Sequence, residues 1–204
     1  MNDMLTVWFV RHGQIQANVD RRWHGSTDSA LTRTGKKQAR RTGRYLKQIQ
    51  FDHAYTSPLS RCVHTAELIL KPQPKVDLIH LEYFAEMHIG DWEDMPFQQL
   101  NEQHNFIENL NQDPNYAAPG GESLAEVSAR VVQGFNQVVE QHKEDENILV
   151  VSHGVAIAIL LASLCEQTPA KWTNFPIANC SFTQLQVKQD TAPVLASLNQ
   201  SFHL

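Results

Sequence analysis

Two short apolar segments of this chain each lead into a histidine that is followed by a glycine. Residues 5–10 lead into Arg11-His12-Gly13, and residues 148–151 lead into Ser152-His153-Gly154. Short runs rich in β-branched and aromatic residues predict buried strands. Ligands of open α/β sheets bind beyond the carboxyl ends of the strands. The two histidines are therefore predicted to form one site from two distant segments.

Strand-like and helical patterns alternate along the chain, which predicts an α/β fold, a three-layer α/β/α sandwich with a mainly parallel central sheet. Residues 82–122 are less regular and contain several prolines and glycines. We expect a lid-like insertion there, within a single domain over residues 1–204. The predicted strands are 5–10, 51–57, 76–81, 147–152, 180–187 and 194–198, the predicted helices are 34–49, 58–70, 97–110, 123–142 and 155–164, and 14–29 is predicted as a loop.

Composition narrows the classes of partner. The 204 residues are 42% apolar and 19% charged, with a net charge of −5. This balance argues against nucleic acid and anionic membrane surfaces, and a local group of arginines favours a small anionic ligand. Three widely spaced cysteines predict a reducing, cytoplasmic location. Residues 148–165 are apolar enough to suggest a membrane span, but Ser152-His153-Gly154 interrupts them, so we predict a strand followed by a buried helix.

The residue types at these strand ends suit phosphoryl chemistry. A neutral imidazole such as His12 can attack an electrophilic phosphorus, and the guanidinium of Arg11 binds phosphate oxygens in pairs. Arg61 lies just beyond the second predicted strand, near a helix N-terminus that favours anions. A departing alkoxide also needs a proton donor. The candidate for that donor is Glu86, and Glu82 and Glu93 compete with it on sequence alone.

Further motifs occur in a fixed order along residues 7–155. Residues 11–18 resemble R-H-G-E-T-x-x-N, and residues 22–35 resemble R-x-Q-G-x-x-D-x-P-L-T-x-x-G. Residues 56–67 resemble T-S-x-x-x-R-x-x-x-T-A-E, residues 86–93 resemble E-x-x-x-G-x-W-E, and Gly121-Glu122-Ser123 and Ser152-His153-Gly154 complete the series. The ordered series resembles the histidine phosphatase superfamily, the phosphoglycerate mutase-like fold. Its pattern is closest to the short broad-specificity phosphatases of that family.

The resemblance implies a role for each matching residue. His12 would be the nucleophile that becomes phosphohistidine, and Glu86 would protonate the leaving alcohol and then help to activate water. The resemblance implies no metal and no other cofactor, because the arginines and a charged or hydrogen-bonding His153 would supply the positive field. The residues expected to bind the phosphoryl group or the substrate are Arg11, Asn18, Arg22, Arg61, His153 and Gly154.

The sequence departs from the family pattern at Gln14, Ala30 and Asp94, none of which carries the chemistry. A mutase must exclude water from its phosphoenzyme, and longer family members hold a bisphosphate with additional lid segments. Here no basic residue occurs between Glu82 and Ser128. We therefore expect hydrolysis of small phosphorylated metabolites.

Two alternatives to hydrolysis stay open. One is mutase-type phosphoryl transfer, and the other is a non-catalytic phosphate-binding regulatory module. A homodimer is a further expectation from the resemblance.

Overall fold

The computed structural model describes residues 4–188 and 191–204. Its strands form one six-stranded sheet in the order β3-β2-β4-β1-β5-β6. The strands are β1 (Leu5–Arg11), β2 (His53–Thr56), β3 (Leu78–His80), β4 (Asn147–Ser152), β5 (Phe182–Val187) and β6 (Val194–Gln200), and the α-helices are α1 (Gln16–Val19), α2 (Arg33–Tyr45), α3 (Ser60–Leu70), α4 (Phe97–His104), α5 (Phe106–Gln112), α6 (Leu124–Gln141) and α7 (Gly154–Glu166).

The four strands β1 to β4 pair in parallel, whereas β5 and β6 join antiparallel at one edge. The prediction of a mainly parallel sheet is thereby confirmed. The central strands β1 and β4 are buried almost throughout, as expected for parallel strands that are covered on both faces. Arg11 pairs with Ser152 in their register, so the two strands end side by side.

Alternating residues of the central strands face two different layers. Val7, Phe9, Ile148 and Val150 belong to a core shared with α6 and α7. Trp8, Val10, Leu149 and Val151 belong to a second core shared with α3. Because successive side chains of a strand point to opposite faces, this division produces the predicted three layers.

The helices after residue 122 match the prediction well. Helix α6 begins at a capping box in which Ser123 and Glu126 bond each other's backbone N–H groups. In helix α7 the seven residues from Ala156 to Ala162 are all buried, which confirms the strand and buried helix predicted over residues 148–165. Within residues 4–188 and 191–204, no helix combines the length and the apolar character needed to cross a membrane.

The predictions were wrong in detail where local backbone geometry decides. Helix α1 lies inside the predicted loop 14–29, because four residues are too few for a periodic pattern. The predicted helix 97–110 is two helices, since Asn105 adopts a left-handed conformation with φ of 47°. The strand predicted to start at Cys180 begins two residues later, because that residue also has a positive φ, 57°.

The segment 82–122, predicted as a lid-like insertion, contributes large side chains to the hydrophobic core. It contains α4, α5 and two short 3-10 turns. Met87, Ile89, Leu100, Phe106 and Leu110 are all fully buried in the core that α6 and α7 share. Burial of five large apolar side chains fixes the segment firmly against the sheet.

Candidate active site

The two strand-end histidines lie next to each other. The backbone N–H of His12 donates to the carbonyl of Ser152 at 2.9 Å, which extends the β1–β4 pairing by one residue. The ring centroids of His12 and His153 are 5.2 Å apart, and the rings meet edge to face. Both side chains are buried. The structure therefore brings together the two segments that the sequence indicated.

The surroundings of His12 fix its tautomer and its charge. Its Nδ1 lies 2.8 Å from the carbonyl oxygen of Gly13. A carbonyl can only accept, so Nδ1 carries the proton and the lone pair of Nε2 is left available. Burial, reinforced by the charges of Arg11 and Arg61, holds the pKa of His12 well below its ordinary value of 6.5. His12 is therefore a neutral imidazole with a free nucleophilic nitrogen.

Arg11 lies beside His12 with donors to spare. Its Nη1 donates to the carbonyl of Ile177 at 2.7 Å. Within the described part of the chain, its buried Nε has no hydrogen-bond partner. A Cβ placed on Gly154 would lie 3.1 Å from Cζ of Arg11, so the glycine leaves room for the guanidinium. This geometry leaves an N–H of Arg11 able to bond a phosphate oxygen.

Arg61 is fully buried and anchors a loop. Its Nε donates to Nδ1 of His153 at 3.2 Å. Its terminal nitrogens donate to the carbonyls of Gly25 at 2.7 Å and Thr27 at 2.8 Å. The carboxylate of Asp28 lies 3.6 Å away and balances its charge. Arg61 thus brings a positive charge to the site while its N–H groups hold residues 24–28 in place.

His153 is held neutral by its two neighbours. Because Nδ1 accepts from Arg61, Nε2 carries the proton and donates to Oγ of Ser57 at 2.8 Å. Burial, and next the charge of Arg61, hold the pKa of His153 well below its ordinary value. Of the two states left open by the sequence, the geometry favours the hydrogen-bonding, uncharged form. The sequence analysis did not identify Ser57, although it lies within the 56–67 motif.

Glu86 lies at the partly buried N-terminus of α7. Its carboxylate accepts the backbone N–H groups of Val155 at 3.2 Å and Ala156 at 2.9 Å. Burial raises the pKa of Glu86 above its ordinary value of 4.5, although the backbone N–H groups of Met87 and Val155 and the nearby arginines act in the opposite direction. Glu86, Arg11 and Gly154 line one cavity of about 300 Å³. A carboxyl group with a raised pKa beside such a cavity suits a general acid.

The competing carboxylates are placed differently. Glu93 accepts the backbone N–H groups of Gly25, Ser26 and Thr27 and the hydroxyl of Thr27. Burial alone would raise the pKa of Glu93, but these hydrogen bonds lower it below the ordinary value. Glu82 is exposed in a 3-10 turn. Glu93 therefore supports the loop that Arg61 anchors, and Glu86 is the carboxylate that shares a cavity with Arg11 and Gly154.

The sequence did not predict the role of Arg130, which bonds the backbone at and just before Glu86. Arg130 on α6 donates to the carbonyls of Tyr83, Ala85 and Glu86 at 2.7–3.1 Å. The same guanidinium forms a two-pronged ion pair with Glu122 at 2.7 and 2.9 Å. The only signal in the sequence was a lone cation after a long stretch without basic residues.

Asn18 lies close to His12 and is oriented by a second amide. The Nδ2 of Asn179 donates to the carbonyl of His12 at 3.0 Å and to Oδ1 of Asn18 at 3.1 Å. The backbone N–H of Ile15 donates to the same oxygen. The amide NH₂ of Asn18 therefore stays available for a ligand oxygen. Sequence reasoning missed Asn179, which lies outside every motif.

Arg22 is not brought into this group. It is exposed, and its Nη1 donates to the carbonyl of Asp94 at 2.5 Å and lies 3.8 Å from that residue's carboxylate. The Asp94 carboxylate also contacts Nε2 of His24 at 2.8 Å. Asp94 has a φ of 61°, a conformation natural to the glycine that it replaces in the family pattern.

Comparison with known proteins agrees with this geometry. Residues 7–201 match the profile of the histidine phosphatase superfamily, branch 1. PhoE, an uncharacterized phosphatase of Bacillus subtilis, is 31% identical over 89% of this chain and 90% of its own length. GpmB, a probable phosphoglycerate mutase of Cronobacter sakazakii, is 32% identical over 95% of this chain and 89% of its own length.

A solved structure extends the likeness to three dimensions. Phosphoserine phosphatase from Entamoeba histolytica, in complex with 3-phosphoglyceric acid, superposes with a TM-score of 0.88 and is 30% identical. The superposition covers 98% of this chain and all of that one. The predicted fold and the predicted phosphoglycerate mutase-like enzyme class are confirmed. From its ordered motifs, its sheet and these matches, the chain belongs to the histidine phosphatase superfamily.

Proposed function

We propose that this protein hydrolyses phosphomonoesters of small metabolites through a phosphohistidine formed on His12, without a metal ion. One observation carries the proposal: neutral His12 has a free Nε2, and the buried Nε of Arg11, the residue before it, has no hydrogen-bond partner among the described residues. A nucleophile and a phosphate ligand therefore come from consecutive residues at the end of β1. We further propose that Asn18, Arg61 and His153 complete the surroundings of the phosphoryl group, with Gly154 providing clearance.

The proposed reaction has two halves. In the first, Nε2 of His12 attacks phosphorus, the bond to the ester oxygen breaks, and the carboxyl of Glu86 gives its proton to the leaving alkoxide. In the second, the Glu86 carboxylate takes a proton from water as that water attacks phosphohistidine, which releases phosphate and restores both residues. The N–H groups of Arg11 and Asn18 stabilise the charge that develops on the phosphoryl oxygens.

Hydrolysis is favoured over transfer by the charge of the segment beyond the site. The 82–128 stretch carries no lysine or arginine, and Arg22 is paired with Asp94. A bisphosphate would find little cationic support on that side. Mutase-type transfer is the second candidate, because a probable phosphoglycerate mutase is among the similar proteins. A purely regulatory phosphate-binding role would not require the raised pKa of Glu86.

The proposal also covers the substrate, the partners, the cellular location and the assembly of the protein. We propose a small phosphorylated substrate, with phosphorylated carboxylic acids tested first because a structurally similar phosphatase was crystallised with 3-phosphoglyceric acid. Nucleic acid and membranes are not proposed as partners, given the net charge of −5. We also propose a cytoplasmic location, a single domain over residues 1–204, and a homodimer.

The deciding experiment is turnover of p-nitrophenyl phosphate in EDTA, with a rapid alkaline quench to trap the phosphoenzyme and subsequent acid treatment to hydrolyse it. We expect hydrolysis by the wild type and by His64→Ala, an exposed histidine control. His12→Ala should lose both turnover and the acid-labile phosphoenzyme. Full activity of His12→Ala would refute the proposal. Phosphate exchange stimulated by a bisphosphate, with little hydrolysis, would instead select the mutase.

A further inference from the structure

A second cluster of side chains that could ligate a metal lies at the N-terminal ends of strands β2 and β4, whereas His12 lies beyond the C-terminal end of β1. His53 opens β2, His142 follows α6, and Glu146 immediately precedes β4. Their potential ligand atoms all lie within 4.8 Å of one another, and no other such group occurs in the part of the chain that the structure describes. Because β4 rises about 3.3 Å per residue, the cluster lies roughly 20 Å from the phosphoryl site.

The separations suit a small cation. Nδ1 of His142 is 3.2 Å from Oε2 of Glu146, and Nε2 of His53 is 3.9 Å from the same oxygen. Tetrahedral zinc with bonds of about 2.1 Å places its ligand atoms about 3.4 Å apart. The first pair is close to this value, and the second needs a closure of about half an ångström. The third pair, between the two histidines, lies within 4.8 Å. The side chain of His53 is 40% exposed, and its ring packs beside that of His142 with the centroids 3.9 Å apart.

The neighbours of His142 hold it in the orientation that a metal ligand needs. Its Nε2 lies 2.7 Å from the hydroxyl of Tyr55, which in turn reaches Oε1 of Gln141 at 3.5 Å. With Nδ1 on a metal, Nε2 carries the proton and donates to Tyr55, whose own proton goes to Gln141. Histidine ligands of metals commonly donate their second N–H to such a partner.

We propose that His53, His142 and Glu146 form a site for a divalent late transition metal, with Zn²⁺ the best match. Two imidazoles suit this class of cation, and zinc also accepts a carboxylate oxygen as a ligand. Three protein ligands leave one coordination position for water on the exposed side of His53. The site would tie the end of α6 to the starts of β2 and β4. Its distance from His12 gives it a stabilising role that is independent of phosphate chemistry.

The three proposed ligands form no sequence motif, because they come from two distant segments. His142 and Glu146 have a spacing of four, but His53 precedes His142 by 89 positions. Only the parallel pairing of β2 with β4, which sets His53 beside Ile148, brings the three together.

The test is titration of metal-stripped protein with ZnCl₂, followed by calorimetry and by competition with a chromogenic chelator. We expect one Zn²⁺ bound through these residues, and at least tenfold weaker binding in His53→Ala and Glu146→Gln. Tyr55→Phe should weaken binding by about tenfold, the usual effect of losing an outer hydrogen bond. His64→Ala and Cys165→Ser are controls for an exposed histidine and an exposed thiol, and both should bind as the wild type does.

Thermal unfolding supplies the second readout. Zn²⁺ should raise the Tm of the wild type more than that of Glu146→Gln at the same concentration, because a ligand that binds only the folded state stabilises it in proportion to its binding free energy. Glu146→Gln preserves the size of a half-exposed side chain, so its fold can be verified by circular dichroism. Binding that survives in both His53→Ala and Glu146→Gln, or that is lost in Cys165→Ser, would overturn the proposal. So would the absence of saturable binding to the wild type.

Discussion

Nε of Arg61 lies 3.2 Å from Nδ1 of His153, and both side chains are fully buried. Arginine only donates, so His153 must accept through Nδ1 and must be neutral. Protonation of His153 would remove that acceptor and set two cations against each other. The lowered pKa of His153 follows from its burial first and from Arg61 second.

This pair predicts that stability falls as the pH drops below 6.5, the ordinary pKa of histidine. The unfolded chain takes up a proton there, whereas the folded protein resists it down to its lower pKa. His12, lowered in the same direction, adds to the effect. The measurement is Tm between about pH 8 and pH 5. His153→Gln keeps one donor and one acceptor without titrating, and should flatten the curve. A wild-type Tm that is constant over this range would contradict the prediction.

Glu86→Gln should affect substrates according to their leaving group. Alkyl phosphates need a proton at the departing oxygen, so we expect kcat/KM to fall by roughly 10²–10⁴-fold. p-Nitrophenyl phosphate leaves readily as the phenolate and should lose about tenfold or less. Steady-state kinetics on both substrates test this difference. Equal losses would assign the proton to another group.

The raised pKa of Glu86 also determines how kcat/KM and stability change with pH. Protonated Glu86 is the active form for the first half-reaction, so kcat/KM for alkyl phosphates should decline as the pH rises through a value above 4.5. Its contribution to stability is present below 4.5, the ordinary value, and is lost as the pH rises through the folded pKa. The stability contributed by Glu86 therefore varies with pH in the opposite direction to that contributed by the histidines. A pH–rate profile of Glu86→Gln should lack the decline in kcat/KM.

Gly154→Ala should weaken phosphate binding while preserving the fold. The new methyl group would meet Cζ of Arg11 at 3.1 Å, and the guanidinium must shift by a few tenths of an ångström. We expect KM and the inhibition constant for inorganic phosphate to rise by about tenfold, or about 1.4 kcal/mol. Ala162→Gly, buried two turns further along α7, is the control and should change stability alone. An unchanged inhibition constant for phosphate in Gly154→Ala would show that phosphate binding does not need the space that this glycine leaves beside Arg11.

Arg130→Met should reduce both stability and acid catalysis. It leaves three backbone carbonyls and the partly buried carboxylate of Glu122 without their partner. We expect a loss of about 1–3 kcal/mol in the free energy of unfolding, measured by urea denaturation. Because Arg130 holds the backbone of Glu86, alkyl phosphates should lose more kcat than p-nitrophenyl phosphate does. A purely structural role would lower both rates equally.

The main features of the fold and site were accessible from the sequence for a local reason. Strands β1 and β4 are mostly apolar, and His12 and His153 directly follow them in the chain. Pattern and chemistry therefore coincide in one short segment. Helix α6 was equally clear, since its capping box and apolar spacing lie within twenty residues.

The remaining features depend on partners that are distant in sequence. Asn179 reaches Asn18 across 161 positions, and Arg22 meets Asp94 across 72. Arg61 donates to backbone carbonyls, which every residue possesses and no motif can reveal. The break at Asn105 was hidden because asparagine tolerates a left-handed backbone that its sequence does not require.

The β1–β4 register links active-site geometry to global folding. Sliding β1 by one residue would exchange the faces of Val7 and Trp8 between the two cores and move His12 away from His153. The spacing of the two imidazoles is therefore set by the most deeply buried pairing in the molecule. Separating the two histidines would require breaking the β1–β4 pairing at the centre of the sheet.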